Sequence, residues 1–322
     1  MRRHKLRTIW NNLIFFVCCM LVVNCSDGDD GGGGDTPHEG NINANNVLTE
    51  QHTASVSDAK ALKIAKRLEV PKLKGAGNYF IIHESNDIGV NFVTEWDYEL
   101  DTQRWSAFTM YYFGKNNTNV SGTAGRYDEY LWDEDIEEKY YTKRDYFYGS
   151  GYDHGHVLAS YDRQTSTAAN RQTFYMTNMQ PMWNRFNAGI WGKMEGKVRS
   201  WNTFKQGSSW FADTLYVVRG GTIDKSEHII ERVGGHLIVP RYYYMAVLCK
   251  NHKTGVENNY GYKAMAFWIE HENINRVNND LQDYVISIDE LEKKTKIDFF
   301  CNLPDYIEDA VEKDVVLSAW NW

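Results

Sequence analysis

The stretch from Tyr152 to Arg199 constrains this chain most. It opens Tyr-Asp-His-Gly-His, setting Asp153, His154 and His156 within four residues around Gly155, and continues to Asn178, Asn187 and Glu195. After Asn187 the pattern turns helical. Ile190, Met194 and Val198 recur at spacings of four, as a buried helix face does. Asn187, Trp191 and Glu195 form a second stripe at the same spacing. Eight residues of helix rise about 12 Å, so Asn187 and Glu195 are too far apart to bind one ion directly.

These groups suit metal-assisted cleavage of a phosphodiester. His156 has an ordinary pKa near neutrality and can serve as a general base toward water. A cation on the phosphate oxygens offsets charge that develops in the transition state. Mg²⁺ prefers oxygen ligands and keeps several waters, so the amide oxygen of Asn187 could be its single protein ligand. Glu195 tilts back toward the helix start and could reach the ion through a water. Taken singly, each residue has an ordinary structural use. Two histidines around a glycine could form a turn or a zinc site, though no Cys or His partners stand at zinc-ligand spacing.

As an ordered set, the stretch resembles the DNA/RNA non-specific endonucleases, the Serratia-nuclease-like branch of the ββα-metal (His-Me finger) nucleases. The resemblance rests on Asp153-His154-Gly155-His156, Tyr161-Asp162-Arg163, Thr177-Asn178, Asn187-Ala188-Gly189-Ile190-Trp191 and Glu195. It implies His156 as the base, Asn187 as the direct Mg²⁺ ligand (with Mn²⁺ as a substitute), and Asn178 and Glu195 as supports of the metal and its waters. Asp153 and His154 occupy supporting places. The implied substrates are DNA and RNA, and the implied products carry 5′ phosphates. Two positions depart from the family pattern. His154 stands where an arginine is usual, and Gln180-Pro181-Met182 replaces a Pro-Gln pair. Both leave the base and the ligand in place. Two rival readings stay open: a weakened relative that only binds nucleic acid or glycan, and a phosphodiesterase for another phosphorylated substrate.

Residues 1–25 read as a targeting segment. Arg2, Arg3, Lys5 and Arg7 precede an apolar run from Leu13 to Val23, and Cys25 follows Asn24. This resembles a bacterial lipoprotein signal, with Cys25 lipidated as the first mature residue. An exported lipoprotein at the outer membrane, cell surface or periplasm is expected, touching membrane only through that anchor. No protein partner is implied. Residues 26–67 read as an acidic and polar tether, with a short helix possible over 57–67, and residues 68–322 as one nuclease domain. With 42% hydrophobic and 14% aromatic residues the domain can bury a large core.

Tyr79 to His83, Val90 to Tyr98, Trp105 to Phe113, Thr214 to Arg219, Leu237 to Cys249 and Tyr262 to Glu270 read as strands. Residues 101–104 read as a hairpin turn, and Gly220-Gly221 and Gly234-Gly235 as further turns. Ser287 to Glu290 has a capping-box pattern. The expected fold is α+β: a central, mostly antiparallel sheet flanked by helices, with the ββα-metal element across one face. Arg126 lies thirty residues before His156, close to where the family keeps a phosphate-binding arginine. Residues 128–138 carry seven acids and no base, read as a solvated loop. The chain has 35 Lys plus Arg against 43 Asp plus Glu, which argues against binding driven by bulk counterion release. Arg185, Lys193, Lys197, Arg199 and Lys205 surround the lone acid Glu195, so a focused basic cleft is expected. Cys249 and Cys301 read as two buried thiols, although an oxidising compartment could pair them.

Overall fold

The computed structural model describes residues 48, 53–75, 77–114, 117–120, 122–140, 144–251 and 261–322, all within the unit Glu39–Trp322. The targeting segment, Cys25 and residues 26–47 of the expected tether lie outside the described residues.

In chain order the first strands are β1 (Thr53–Ala54), β2 (Asn78–Ser85), β3 (Gly89–Asp97) and β4 (Thr102–Met110), with helix α1 (Asp58–Ala65) before β2. The next group is β5 (Asp153–His156), α2 (Thr167–Gln172), β6 (Met179–Met182) and α3 (Gly192–Thr203). The short pair β7 (Lys205–Gln206) and β8 (Ser209–Trp210) leads to β9 (Thr214–Gly221). A hairpin of β10 (Ile229–Val233) and β11 (Leu237–Pro240) precedes β12 (Tyr242–Lys250), β13 (Tyr262–Glu270) and β14 (Val285–Ile286). The chain closes with α4 (Ile288–Thr295) and α5 (Asp305–Glu312).

Eight strands form the main sheet, in the order β1-β2-β3-β4-β9-β12-β13-β14. Only the β1–β2 pair is parallel, so the expected mostly antiparallel α+β architecture is observed. Both faces of the sheet are covered, which explains why β12 reads as a nearly unbroken apolar run. Alternate residues of a strand point to opposite faces. Tyr243, Met245, Val247 and Cys249 pack with Ile190, Met194, Val198 and Trp201 on the α3 side. Tyr244, Ala246 and Leu248 pack with residues of α1, α4 and α5 on the other. Full burial of each large apolar side chain contributes about 1.5–3 kcal/mol.

Several local expectations shift. Thr53 onward, read as tether, already belongs to the fold: β1 pairs with β2, and Ala61, Ile64 and Ala65 enter the core. The turn before β4 ends at Asp101, which has φ of 50°, so Thr102 already lies in the strand. Gly220 and Gly221 sit in β9 rather than in a turn. A Cβ on Gly220 would stand 2.6 Å from both the Arg104 carbonyl and the Tyr244 hydroxyl. The run over 237–249 is split at Pro240 and Arg241 into β11 and β12. Ser287 caps α4 as expected, its Oγ accepting from Glu290 N at 3.1 Å. Cys249 and Cys301 are both buried free thiols. Among the described residues, no helix is long and apolar enough to cross a membrane.

Candidate active site

The site is built on two short strands followed by a helix. β5 pairs antiparallel with β6, placing Asp153 opposite Met182, Gly155 opposite Gln180 and His156 opposite Met179. The strands approach closely at Gly155, where a Cβ would stand 2.3 Å from Met182 Cγ and 2.7 Å from the Gln180 carbonyl. Only glycine leaves room for this pairing. Gln180 is spent on the scaffold: it donates to the Gln103 carbonyl at 3.1 Å and accepts from Gly221 N at 2.8 Å.

Asn178 holds the far end of this hairpin. Its Oδ1 accepts from Leu158 N at 2.9 Å, while Nδ2 donates to the carbonyls of Leu158 at 2.9 Å and Thr173 at 2.8 Å. The side chain is fully buried. An amide committed in this way fixes the path of the chain after His156, so Asn178 positions the hairpin and does not face a cation or its waters.

His156 is partly exposed at residue level, yet its Nε2 is buried and has no hydrogen-bond partner among the described residues. The Phe174 ring meets the imidazole edge-on, with centroids 4.7 Å apart. Burial and the nearby Arg126 push the His156 pKa down to about 3, opposed by a hydrogen bond with the His154 backbone. The ring is therefore neutral at physiological pH and has a lone pair to offer. A base must be neutral before it takes a proton, but burial also lowers the basicity of this ring below that of a free imidazole.

Asn187 lies in a π-helical turn, Phe186–Trp191, that runs into α3. Gly189 breaks the turn with φ −100° and ψ −110°, so Asn187 and Glu195 are not on one straight helix. Such π-turns are frequent at functional sites. Asn187 Nδ2 donates to Asp153 Oδ2 at 3.0 Å, and Asn184 Nδ2 donates to the same oxygen at 3.1 Å. With its nitrogen held by the carboxylate, the amide presents Oδ1 at its other end, as an oxygen-seeking divalent cation requires. The preceding loop is pinned by His271, whose Nε2 accepts from Trp183 N at 2.7 Å while Nδ1 contacts the Pro240 carbonyl at 2.9 Å.

Glu195 belongs to a chain of charges beneath α3. Arg219 Nη1 stands 3.5 Å from Glu195 Oε1 and 3.0 Å from Asp162 Oδ2. Arg199 Nε donates to Asp162 Oδ1 at 2.6 Å. Arg219 shares a sheet face with Val217 by strand alternation, which aims it under α3. Burial raises the Glu195 pKa, and Arg219 works against that rise. Sequence reasoning named Asp162 but missed Arg219, because a single arginine inside an apolar strand gives no sign of its partners.

His154 is clamped between two rings, with centroids 3.9 Å from Tyr130 and 4.1 Å from Phe147, both nearly parallel to it. Neither aromatic partner was foreseen. Arg126 is half exposed, lies over Phe174 at 4.8 Å and sits 3.5 Å from Asp128 Oδ1. This brings it to the rim beside His156, consistent with a phosphate contact. The expected basic cleft is smaller than the sequence implied. Arg199 is paired with Asp162, Lys193 and Lys197 donate to the carbonyls of Asn279 and Asn321, and Lys205 stands over Trp210. Arg185 is exposed two residues before Asn187.

The acidic loop over 128–138 is not wholly solvated. Asp133 is buried, contacting His83 Nε2 at 2.8 Å and accepting from Thr177 Oγ1. His83, Asp133 and Asp135 form one of two groups among the described residues whose ligand atoms lie close enough to hold a metal; the other is Asp289, Glu292 and Glu312.

The profile of the family described as DNA/RNA non-specific endonuclease matches residues 84–306. A nuclease of Nostoc sp. is 30% identical over 218 residues, covering 66% of this chain and 72% of that protein. The mitochondrial nuclease of Saccharomyces cerevisiae is 29% identical over 188 residues, covering 57% of this chain and 56% of that one. A solved structure of an EndoG/EndoGI complex superposes with a TM-score of 0.55 at 16% identity, covering 69% of this chain and 86% of that one, which supports the shared fold.

Proposed function

This chain belongs to the DNA/RNA non-specific endonuclease family and is a metal-dependent nuclease, and from that premise we propose that it hydrolyses phosphodiester bonds of DNA and RNA to products with 5′ phosphates. The observations that carry the mechanism are a neutral His156 on β5 and an Asn187 amide oriented by Asp153 of the same strand. Asn187 Oδ1 would hold the cation, Mg²⁺ with Mn²⁺ as substitute, which supplies positive charge to the phosphate oxygens.

His156 takes a proton from water as the water oxygen bonds to phosphorus. The bond from phosphorus to the 3′ oxygen breaks, the 3′ oxygen takes up a proton from solvent water, and the phosphate stays on the 5′ side. Arg126, at the rim, contacts the phosphate and fixes its approach. Glu195, held near Arg219 on α3, would support the waters of the cation. Asn178 and Gly155 keep the two strands of the hairpin in register around His156. Few side chains in this arrangement suit reading base edges, and phosphate contacts carry no sequence information.

The N-terminal region fits export as a lipoprotein anchored through Cys25, with the nuclease unit held at the cell surface or in the periplasm. Radiolabelled palmitate incorporation, lost on Cys25→Ser, tests this part. The chemistry is tested by end-labelling the products of DNA and RNA digests with Mg²⁺ and with EDTA. Ends that accept label only after phosphatase treatment support the proposal. Ends carrying 3′ phosphates, or cleavage confined to a non-nucleic phosphodiester, overturn it.

A further inference from the structure

The two C-terminal helices bring three carboxylates together. Asp289 and Glu292 lie on α4, Glu312 ends α5, and one oxygen from each lies within 4.8 Å of the others. Two oxygens bound to one Ca²⁺ at about 2.4 Å can stand no farther apart than about 4.8 Å, so one ion could touch all three. Glu312 is only 6% exposed, and its Oε1 is buried with no hydrogen-bond partner among the described residues. Glu308, one turn earlier, is 3% exposed. Glu292 uses Oε1 to accept from Phe299 N at 2.7 Å, leaving its second oxygen for another partner. Among the described residues the cation paired with this group is Lys293, 3.9 Å from Asp289 and itself well exposed.

A buried carboxylate oxygen without a donor is costly unless it is protonated or meets a cation. A hard divalent cation among the three carboxylates would give the orphaned Glu312 oxygen a partner.

We propose that Asp289, Glu292 and Glu312 form a Ca²⁺ site, separate from the nuclease centre, that joins α4 to α5. Ca²⁺ suits it because the donors are all oxygen, the geometry is irregular and waters can complete the shell. The site's task is structural: it fastens the last helices over β13, where Ile288, Leu291, Ile307 and Val311 enter the core.

The test is calorimetric titration and thermal unfolding of the full chain with Ca²⁺ as the probe. The wild-type protein should rise in Tm by about 5–10 °C when Ca²⁺ is a hundredfold above Kd. Asn187→Ala should keep that rise, which separates this site from the nuclease centre. Glu312→Gln should lose it and bind one Ca²⁺ fewer per chain. Should Glu312→Gln not fold, the half-exposed Asp289→Asn serves, with Ca²⁺ affinity expected to fall at least tenfold. Equal Ca²⁺ stoichiometry and equal Tm shifts in the wild type and either variant overturn the proposal. So does a wild-type protein that binds no Ca²⁺ outside the Asn187 site, which would leave Glu312 simply protonated.

Discussion

Asp153 Oδ2 accepts hydrogen bonds from two asparagine amides at once, Asn187 at 3.0 Å and Asn184 at 3.1 Å. One carboxylate at the start of β5 thereby sets the orientation of Asn187, the proposed metal ligand, in the turn before α3, thirty-four residues on. Second partners of this kind are worth about 10–100-fold in metal affinity or activity. Asp153→Ala should therefore raise the Mg²⁺ concentration needed for half-maximal cleavage by that factor, with activity largely restored at high Mg²⁺. A Mg²⁺ titration checks this. A loss that excess Mg²⁺ leaves untouched would mean that Asp153 acts on something other than the metal ligand.

Gly155 should not tolerate a side chain. The Cβ of Gly155→Ala would meet Met182 and the Gln180 backbone, and only the former can move aside. Overpacking of this sort costs about 1–3 kcal/mol. A denaturant titration should show that loss, and Met182→Ala should rescue only part of it, because the carbonyl clash remains.

His154 tests how the chain manages without the usual arginine. Its ring is stacked between Tyr130 and Phe147. A planar guanidinium stacks on aromatic faces and also carries permanent charge. His154→Arg should fold with a Tm close to wild type and lower KM for DNA, with kcat within a few-fold. His154→Ala should lose about 1–3 kcal/mol of stability as the stack opens. Steady-state kinetics beside thermal unfolding distinguish the two.

Acid should loosen the loop before Asn187 through His271. Burial pushes its pKa down to about 4, against about 6.5 in the unfolded chain. The unfolded state therefore takes up the proton first, and stability is lost as pH falls from about 6.5 toward about 4. Protonating Nε2 would also turn it against Trp183 N–H, its present donor. Urea unfolding at pH 7 and pH 4.5 should differ by about 2–3 kcal/mol on this account. His271→Gln, which can make both hydrogen bonds without titrating, should shrink the measured difference by that amount, leaving the separate contribution of His156.

The residues proposed for catalysis could be picked out in the sequence because they lie on short local elements whose order and spacing survive in one dimension. His156, Asn187 and the buried stripe of α3 are of this kind. Strands were legible from their aromatic and β-branched runs, and β13 was read with its observed limits. What escaped depends on distant partners. Arg219 meets Asp162 across 57 residues, and His83 meets Asp133 across 50. Nothing local marks either pair. Asn178 stands at a family position, yet only its three backbone partners show that it positions the chain. Gly220 and Gly221 look like a turn until Tyr244 and Pro240 are seen against them. The segment from Thr53 to Ala65 is too short and too polar at its edges to signal that it completes the sheet.

The most direct test of the central claim is plasmid nicking by the purified protein with Mg²⁺, with EDTA, and as His156→Ala and Asn187→Ala. The account predicts cleavage that requires the metal and falls by at least about a hundredfold when the base is removed, the lower end of what positioned acid–base groups contribute. Asn187→Ala should cleave weakly and recover in part at high Mg²⁺. Cleavage by a folded His156→Ala variant at the wild-type rate would contradict the assignment of the base. Absence of cleavage by folded, metal-supplied wild-type protein would contradict the mechanism as a whole.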